Sequence, residues 1–313
     1  AGCCGSQGGT ALANILNGSV TPSGHLVDTY VKDLRKDPTY QNFGSYAYEN
    51  SDELNSYQEQ TFFVEYEEGI YVGYRYYETA AKEAMNNNYA GFNYDNEVVF
   101  PFGYGLSYTT FSQKFAEKPT FDEKTNEYTF KVEVTNTGDT KGKSVAQIYV
   151  NVPYVKGGVE KSHVTLAGFE KTKLLNPGEK EVLTIKFNRD YITSYDYQNE
   201  KCYILDEGDY NFYLSENSHS WASIDKLEAG QKANYFWTHH LDKKVVYNEK
   251  NKRTTDKSVA TNKEDSELNY KFKSHQEAEH GEGFAINFTR SDFKKSFPQK
   301  PEEDDFTMTN ERA

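Results

Sequence analysis

The sequence predicts an α+β protein of more than one domain, in which a partial α/β layer is followed by a β-sandwich and a polar C-terminal extension. Three observations support this fold class. Apolar residues recur at helical spacing near the N-terminus, apolar and polar residues alternate with a period of two from about Ser112, and residues 242–282 are rich in Lys, Glu, Asn and Thr. A chain of 313 residues is long enough for two ordinary domains.

The composition narrows the classes of function that the chain can have. Aromatic residues make up 15% of the sequence, well above the share in a disordered chain. The net charge of -13 argues against nucleic-acid binding, because phosphate contacts need clustered Lys and Arg. No apolar run approaches the roughly 20 residues of a membrane helix, and no signal-peptide pattern begins the chain. We therefore expect neither nucleic-acid nor membrane partners.

The cysteines and histidines predict no disulfide framework and no metal site. Cys3 and Cys4 are adjacent and Cys202 stands alone, without the spacing of zinc ligands. The histidines also lack the Cys or carboxylate partners that zinc needs. We expect no cofactor, and the low use of cysteine fits a reducing, cytoplasmic location.

The first predicted domain covers residues 1–110. Helical spacing of apolar residues predicts a helix from Gly8 to Leu16. A turn at 21–24 and an extended segment at 25–27 follow, so that the order is the helix, turn and strand of an α/β layer.

A long, polar and aromatic stretch at 33–60 is interpreted as a surface excursion. The densest apolar and aromatic run then lies at 61–78, and a short helix is predicted at 78–86, before the three asparagines that break the pattern. At 98–108 aromatic residues alternate with glycines, which predicts close backbone packing.

The second predicted domain is the β-sandwich, at residues 111–222. Tyr128, Phe130, Val132 and Val134 alternate with polar residues and fall on one face of a half-buried strand. Turn residues separate further strand patterns at 145–152, 164–169, 182–187, 203–205 and 210–214. Several short strands with regular turns are typical of a sandwich. Residues 223–313 are interpreted as a polar linker or extension.

Three blocks of the first domain resemble glycoside hydrolase family 3, the family of many β-glucosidases and β-xylosidases. They are the helix and turn at 8–26, Tyr66-Glu67-Glu68-Gly69-Ile70-Tyr71-Val72-Gly73-Tyr74-Arg75-Tyr76-Tyr77, and Phe100-Pro101-Phe102-Gly103-Tyr104-Gly105-Leu106-Ser107-Tyr108. His25 departs from the lysine that is usual in the family. The second domain resembles the immunoglobulin-like, fibronectin-III-like domain of the same family, at 134–138, 147–150, 166–170 and 176–179.

The resemblance implies that the chain is a portion of a retaining exo-β-glycosidase. Family 3 catalysis uses an aspartate nucleophile on a (β/α)8 barrel and an acid/base that is usually a glutamate of the α/β domain. This sequence lacks the barrel, so we expect no catalytic residue in it and predict that the isolated chain is inactive. Glu282 imitates the acid/base motif, Gly-Glu-Gly, but the Asp-Arg pair of that motif does not follow it.

The resemblance also implies partners. Residues 288–293 are similar to the segment that precedes the barrel in family members with permuted domain order. The missing barrel and the remainder of the α/β domain are therefore the expected partners, with a β-glucoside or oligosaccharide as the substrate of the intact enzyme. Association into a homo-oligomer is a further alternative that the sequence leaves open.

The substrate-binding candidates are Arg75, Tyr76 and Tyr77. Aromatic faces pack on pyranose rings, and arginine donates hydrogen bonds to hydroxyl groups. Packing between the two domains would explain the same residues. Glu67 and Glu68 are neighbours in an extended segment and point to opposite faces, so they do not form a catalytic pair. We interpret them as turn and solvent contacts.

The predicted activity is that of a β-glucosidase, which removes terminal non-reducing β-D-glucosyl residues. A β-xylosidase of the same family is an alternative, because the discriminating pocket belongs largely to the missing barrel. The other alternative is a non-catalytic module for carbohydrate binding or assembly. We also expect that residues 1–110 alone associate, because a partial α/β layer leaves apolar surface uncovered.

Overall fold

A computed structural model of the protein describes residues 5–44, 46–49, 62–64, 66–248, 250–253 and 288–300. Up to residue 110 the helices and strands are short. They are α1 (Gly8–Leu16), β1 (Tyr30–Val31), 3-10 turns at Leu34–Lys36 and Pro38–Tyr40, β2 (Tyr46–Ala47), β3 (Phe62–Phe63), α2 (Tyr74–Met85), α3 (Tyr94–Glu97) and β4 (Val98–Phe100).

The start of this region follows the sequence prediction. Helix α1 covers the predicted residues, and it ends before Gly18, whose positive φ of 79° suits glycine. The segment after the turn is extended and pairs at His25 with Gly105. None of the residues of α1 is buried, and among the described residues the helix is covered only in part, at Gly8, Asn14 and Ile15.

The pairings of this region are antiparallel. Strand β1 pairs with β4, and β2 pairs with β3, within the described residues. The parallel arrangement that an α/β layer suggests is therefore not formed by these strands with one another.

Helix α2 begins four residues before the predicted helix at 78–86. The aromatic residues before Glu78 have a high strand propensity, which is why the sequence favoured an extended run. Gly73 has a positive φ of 55° and turns the chain into the helix. The helix then buries Tyr76, Tyr77, Ala80 and Ala81 on its inner side, and this packing decides the conformation.

The sandwich consists of two larger sheets and one small sheet. The first larger sheet contains β5 (Phe111–Phe115), β6 (Thr120–Asp122), β7 (Glu127–Asn136) and β10 (Lys180–Asn188), in the order β10-β7-β5 with β6 also on β7. The second contains β8 (Val145–Asn151), β9 (Thr165–Lys171), β13 (Gly208–Ser215) and β14 (Phe236–Leu241), in the order β14-β13-β8-β9. The small sheet has the order β11-β12-β15, formed by Ser194–Asp196, Cys202–Leu205 and Val245–Tyr247.

The core of the sandwich lies between the two larger sheets. Strand β7 alternates strictly between half-buried and buried residues, which confirms the predicted inner face of Tyr128, Phe130, Val132 and Val134. These side chains pack with Ile148 and Phe212 of the facing sheet and with others of the same cluster. Burial of each large apolar side chain contributes about 1.5–3 kcal/mol to stability.

The sandwich extends beyond the predicted boundary at residue 222. Strand β14 pairs with β13 from Tyr213↔Phe236 to Gly208↔Leu241, and β15 pairs with β12. The prediction of a polar extension from residue 223 was wrong over this stretch. The two histidines of β14 interrupt the alternation of apolar and polar residues, so the sequence did not indicate a strand. Pairing with β13 places the aromatic residues of β14 against the core.

The C-terminal segment at 288–300 returns to the first region. Phe288 and Phe293 are buried against Tyr71 and Tyr76 of the α2 region. The Tyr71 ring meets both phenylalanines edge to face, with centroid distances of 5.4 Å and 4.9 Å. This segment is thus part of the core of the first region and not a free extension. In the part of the chain that the structure describes, no helix has the length and apolarity to cross a membrane.

Candidate functional site

Helix α2 positions the three residues that the sequence selected as sugar contacts. Its inner face carries Tyr76 and Tyr77, and its outer face exposes Arg75. Tyr76 is 2% exposed and its hydroxyl is 3.2 Å from that of Tyr89, while the Tyr77 hydroxyl donates to Asp37 at 3.0 Å. Burial raises the pKa of both tyrosines. Both rings pack in the core of the first region and also border a pocket with Tyr89 and Phe92, so their assignment as sugar contacts stays a prediction.

Arg75 lines a cleft of about 640 Å³ between the first region and the sandwich. We call it the tyrosine cleft. The first region contributes Tyr66, Ile70, Tyr71 and Arg75 to it, and the small sheet with its preceding turn contributes Tyr191, Ser194, Tyr195, Tyr197 and Tyr203. Glu160, Lys161 and Phe288 also line it. Tyrosines are thus the commonest side chains of this lining.

The buried part of the cleft is held by Glu160. Its carboxylate accepts hydrogen bonds from the Tyr71 hydroxyl, from the Thr289 hydroxyl and, at 2.9 Å, from the Arg290 backbone N–H. Burial raises the pKa of Tyr71, so this phenol stays protonated as a donor. The carboxylate is therefore occupied by structural partners.

Lys161 is occupied in the same way. Its Nζ donates to the Pro153 carbonyl at 2.7 Å and forms an ion pair with Asp206. Burial lowers the pKa of this lysine, and the hydrogen bond that Lys161 donates to Asp206 opposes this shift. Lys161 and Glu160 thus shape the cleft and do not offer free charges to a ligand.

An ion pair fixes the C-terminal segment that forms part of the cleft. Arg290 Nε lies 2.8 Å from Glu83 Oε1 of α2, and both side chains are only 6% exposed. The guanidinium also donates to the Lys161 carbonyl at 3.0 Å. The two partners are 207 residues apart in the chain, and no local sequence signal joins them.

A second buried carboxylate joins α2 to the sandwich. Glu78 is fully buried and accepts hydrogen bonds from the Tyr94 hydroxyl, the Ser218 hydroxyl, His219 Nδ1 and Trp221 Nε1, at 2.7–2.9 Å. Four donors on one carboxylate offset its desolvation. The sequence marked Glu78 only as the start of a helix, because its donors lie 16 to 143 residues away.

The adjacent pair Glu67 and Glu68 occupies two different environments. Glu67 accepts hydrogen bonds from Asn42 Nδ2 at 3.1 Å and from the Gln299 backbone at 3.3 Å. Glu68 is buried, and desolvation raises the pKa of its carboxyl. The expectation of solvent contacts was therefore wrong for Glu68. Glu282 lies outside the described residues.

Metal chemistry has no evident place in the described part of the chain. No group of three or more His, Cys, Asp or Glu side chains there could hold a metal ion. The adjacent histidines are in structural contacts, because His239 is 2.8 Å from the Tyr128 hydroxyl and His240 is 2.7 Å from Asp209.

Comparison with known families matches the two regions separately. Residues 1–74 match the glycosyl hydrolase family 3 C-terminal domain, and residues 144–218 match a fibronectin type III-like domain. The chain carries domains of glycoside hydrolase family 3. The tyrosine cleft of this family 3 chain lies at the joint of the two domains, since Tyr66 and Tyr71 fall in the first match and Glu160 to Tyr203 in the second.

The relatives of the family 3 chain include named β-glucosidases. β-Glucosidase A of Butyrivibrio fibrisolvens is 33% identical over 259 residues, which are 77% of this chain and 26% of that protein. A β-glucosidase of Ruminococcus albus is 35% identical over 220 residues, 69% of this chain and 20% of that protein. The crystal structure of a β-glucosidase from Paenibacillus barengoltzii has a TM-score of 0.58 at 34% identity and covers 76% of this chain and 22% of its own. The chain thus spans about a quarter or less of the length of these relatives.

Proposed function

We propose that this chain is the portion of a retaining exo-β-glycosidase that contains part of the α/β domain and the fibronectin-III-like domain. The favoured activity of the whole enzyme is that of a β-glucosidase acting on terminal non-reducing β-D-glucosyl residues. The observation that carries the proposal is the match of two consecutive regions to two family 3 domains, together with relatives named β-glucosidases.

The exposed apolar side chains of the first region support the proposal that a further part of the enzyme packs against it. Helix α1 exposes Leu12 and Leu16, and the neighbouring segments expose Val20, Val27 and Leu34. Monomeric proteins rarely leave so many large apolar side chains together in solvent. The remainder of the α/β domain is the proposed cover for this face, and the catalytic barrel is the proposed source of the nucleophile.

The role proposed for this chain is to scaffold the active site and supply part of its rim. Two buried carboxylates of helix α2, Glu78 and Glu83, are held by structural donors. A carboxylate that acts as nucleophile must instead reach the anomeric carbon of a bound sugar. We therefore propose that the 313 residues by themselves do not hydrolyse glycosides.

Location and assembly are further parts of the proposal. The low cysteine use, with Cys202 buried and unpaired, supports a reducing cytoplasm. Whether copies of the enzyme associate can be measured on the native protein by size-exclusion chromatography with light scattering.

The test is to recover the native protein with an antibody against the sandwich and to measure its mass and its hydrolysis of p-nitrophenyl β-glucoside. We expect a mass well above the 35.9 kDa of this chain, with turnover, and a lower rate on p-nitrophenyl β-xyloside. The pure 313-residue chain should show no turnover. Robust turnover by the pure chain, or a native mass of 35.9 kDa without activity, would contradict the proposal.

A further inference from the structure

A polar cavity of about 670 Å³ lies between the C-terminal end of α2 and the sandwich. We call it the amide cavity, because Asn86 and Asn88 line it from the end of α2, and Asn151 and Asn211 line it from β8 and β13. His163 is also part of the lining. The proposed glycosidase function gives this cavity no role.

One asparagine fixes the position of the proton on His163. Asn151 Nδ2 donates to the His163 carbonyl oxygen at 2.7 Å and lies 3.2 Å from His163 Nδ1. A carbonyl oxygen only accepts, so the Asn151 atom at this place is the amide nitrogen, and Nδ1 is its second acceptor. Burial, followed by the charges of Arg290 and Lys82, lowers the pKa of the imidazole, so the ring is neutral near pH 7. Its single N–H is therefore on Nε2.

A row of side chains across three strands holds Asn151 in this orientation. The Thr238 hydroxyl of β14 donates to Asn211 Oδ1 of β13 at 2.8 Å, and Asn211 Nδ2 donates to Asn151 Oδ1 of β8 at 3.4 Å. The three residues are direct neighbours in the register of the sheet. Each amide thus has its oxygen and nitrogen assigned by its neighbour, and the row determines which nitrogen of His163 carries the proton.

The Nε2–H of His163 lacks an acceptor. The residue is 3% exposed, and its Nε2 has no hydrogen-bond partner in the described part of the chain. Leaving a buried donor unsatisfied is costly, so such a group in a folded protein calls for an acceptor from a ligand or from water. Because His163 lines the amide cavity, an acceptor that enters the cavity can satisfy it.

An ammonium group lies close to this donor. Lys82 Nζ is 5.5 Å from the centroid of the Trp221 ring, and the His163 ring centroid is 4.1 Å from that of the same tryptophan. Lys82 is half-buried and lines the cavity. Within the described ranges it forms no ion pair. The cavity therefore places a cation without a counter-charge beside an N–H without an acceptor.

The remaining charges of the lining leave this excess positive. Its carboxylates already have partners, which are Arg290 for Glu83, Lys232 for Asp225 and His240 for Asp209. Lys156 is exposed and lines the cavity, and among the described residues it also has no ion pair. A cationic ligand is therefore disfavoured. The net charge of -13 repels polyanions at longer range, so the favoured ligand is a small anion.

The end of α2 does not oppose an anion through free carbonyl groups. A helix C-terminus normally carries a partial negative charge from its last carbonyl groups. Here the N–H groups of residues 86–88 donate to the carbonyl oxygens of residues 82–84, at 2.8–3.1 Å. Asn87 adopts a positive φ of 60°, which closes this turn. These local donors offset much of the negative charge at the cavity.

We propose that the amide cavity binds a small oxyanion, a carboxylate or a phosphate, whose oxygen atoms accept hydrogen bonds from His163 Nε2–H and from the Lys82 ammonium group. Hydrogen bonds of this kind are strengthened by the charges of the two partners. The volume also accommodates an organic molecule that carries the anionic group. Binding here requires no hydrolysis, so the inference holds or fails independently of the proposed glycosidase activity.

The first experiment is a calorimetric titration of the whole chain at pH 7.5 with sodium phosphate and with sodium acetate, at an ionic strength matched with chloride. Acetamide is the neutral control for acetate, because it has nearly the same shape. We expect saturable binding of at least one anion and none of acetamide. Binding of phosphate alone or of acetate alone supports the inference and identifies the anionic group. Absence of binding of both anions, or equal binding of acetamide and acetate, would overturn it.

Lysine variants then locate the binding. Lys82→Gln should weaken the affinity for the anion about tenfold through loss of a charged hydrogen bond. Lys156→Gln should weaken it about twofold, because this lysine is exposed and screened by solvent. Lys118→Gln removes the same charge from an exposed lysine outside the cavity and should leave the affinity unchanged. Equal affinities of the Lys82→Gln and Lys118→Gln variants would overturn the assignment of the site.

A measurement on the unsubstituted chain tests the histidine. With 15N-labelled histidine, the Nε2–H of His163 should give a slowly exchanging proton resonance, which the His163→Gln spectrum lacks. Titration with the anion should move this resonance downfield, with the same midpoint as the calorimetric curve. A resonance that does not move when the calorimetric signal is saturated would overturn the role of His163, whether or not the native protein hydrolyses glucosides.

Discussion

The sandwich and the region before it differ in how they bury their apolar residues. In the sandwich, β7 turns every second side chain into a core that both larger sheets share. In the first region, α1 buries no residue, and its Leu12 and Leu16 side chains face solvent. The first region is covered at its other end, where α2 packs on the sandwich and the segment at 288–300 packs on α2. The apolar periodicity of β7 therefore leads to a closed core, whereas the apolar periodicity of α1 leads to an apolar surface that the rest of the described chain does not bury.

This difference predicts opposite behaviour for the two regions expressed separately. Residues 111–253 contain all the strands of the three sandwich sheets and should unfold cooperatively as a monomer. Residues 1–110 should associate or aggregate, because they lose the cover of Phe288 and Phe293 in addition to exposing α1. Size-exclusion chromatography and thermal unfolding of each fragment measure both outcomes. A monomeric 1–110 fragment that unfolds cooperatively would show that the first region, like the sandwich, buries its apolar residues without further cover.

A pair of apolar substitutions sharpens the comparison within the whole chain. Phe130→Ala should lower the free energy of unfolding by about 3–5 kcal/mol, because the ring is fully buried between the sheets and leaves a cavity. Leu16→Ala should change it by less than about 0.5 kcal/mol, because this side chain is 74% exposed. Urea unfolding followed by tryptophan fluorescence gives both values. Equal losses would mean that α1 is covered in solution.

The joint of the two regions can be tested at a glycine. Gly103 has a positive φ of 80°, and an added Cβ would lie 2.3 Å from Gln147 Oε1 and 2.7 Å from the Tyr149 hydroxyl. Gly103→Ala should therefore cost about 2–3 kcal/mol, from backbone strain and the displaced side chains.

Gly178 provides the matched control for this substitution. Its φ is 73°, but nothing lies within 4 Å of an added Cβ. Gly178→Ala should cost about 1 kcal/mol from the backbone alone. If chemical denaturation gives the two variants the same loss, the contact of the 103 turn with β8 does not contribute to stability.

The same joint should respond to pH through His163. Its backbone N–H donates to the Thr79 hydroxyl of α2 at 2.8 Å, and burial, followed by the charge of Arg290, lowers the pKa of its imidazole well below the ordinary 6.5. Because the unfolded chain binds this proton more readily, stability is full above about pH 6.5 and falls as the pH decreases below it. The slope from one such group reaches about 1.4 kcal/mol per pH unit.

Unfolding curves between pH 7.5 and 5 measure this effect. His163→Gln should flatten the acid side of the stability profile. His240→Gln should not flatten it, because the hydrogen bond that His240 donates to the Asp209 carboxylate raises the pKa of this exposed histidine. A His163→Gln profile as steep as the wild type would assign the acid response to other groups.

The sequence by itself determined the features that depend on neighbouring residues. Helix α1, the turn before His25 and the inner face of β7 follow from periods of 3.6 and two and from turn residues, which act over a few positions. The sequence blocks were also sufficient for the family, which the domain matches confirm.

Only the tertiary structure decided the features that join distant residues. Strand β14 enters the sandwich because β13 pairs with it, Glu83 meets Arg290 across 207 residues, and the tyrosine cleft combines side chains from both matched domains. Tyr76 and Tyr77, the candidate sugar contacts of the sequence, lie in the buried cluster of the first region that also contains Phe288 and Phe293. Burial depends on what the rest of the chain places against a residue, and no local period carries that information.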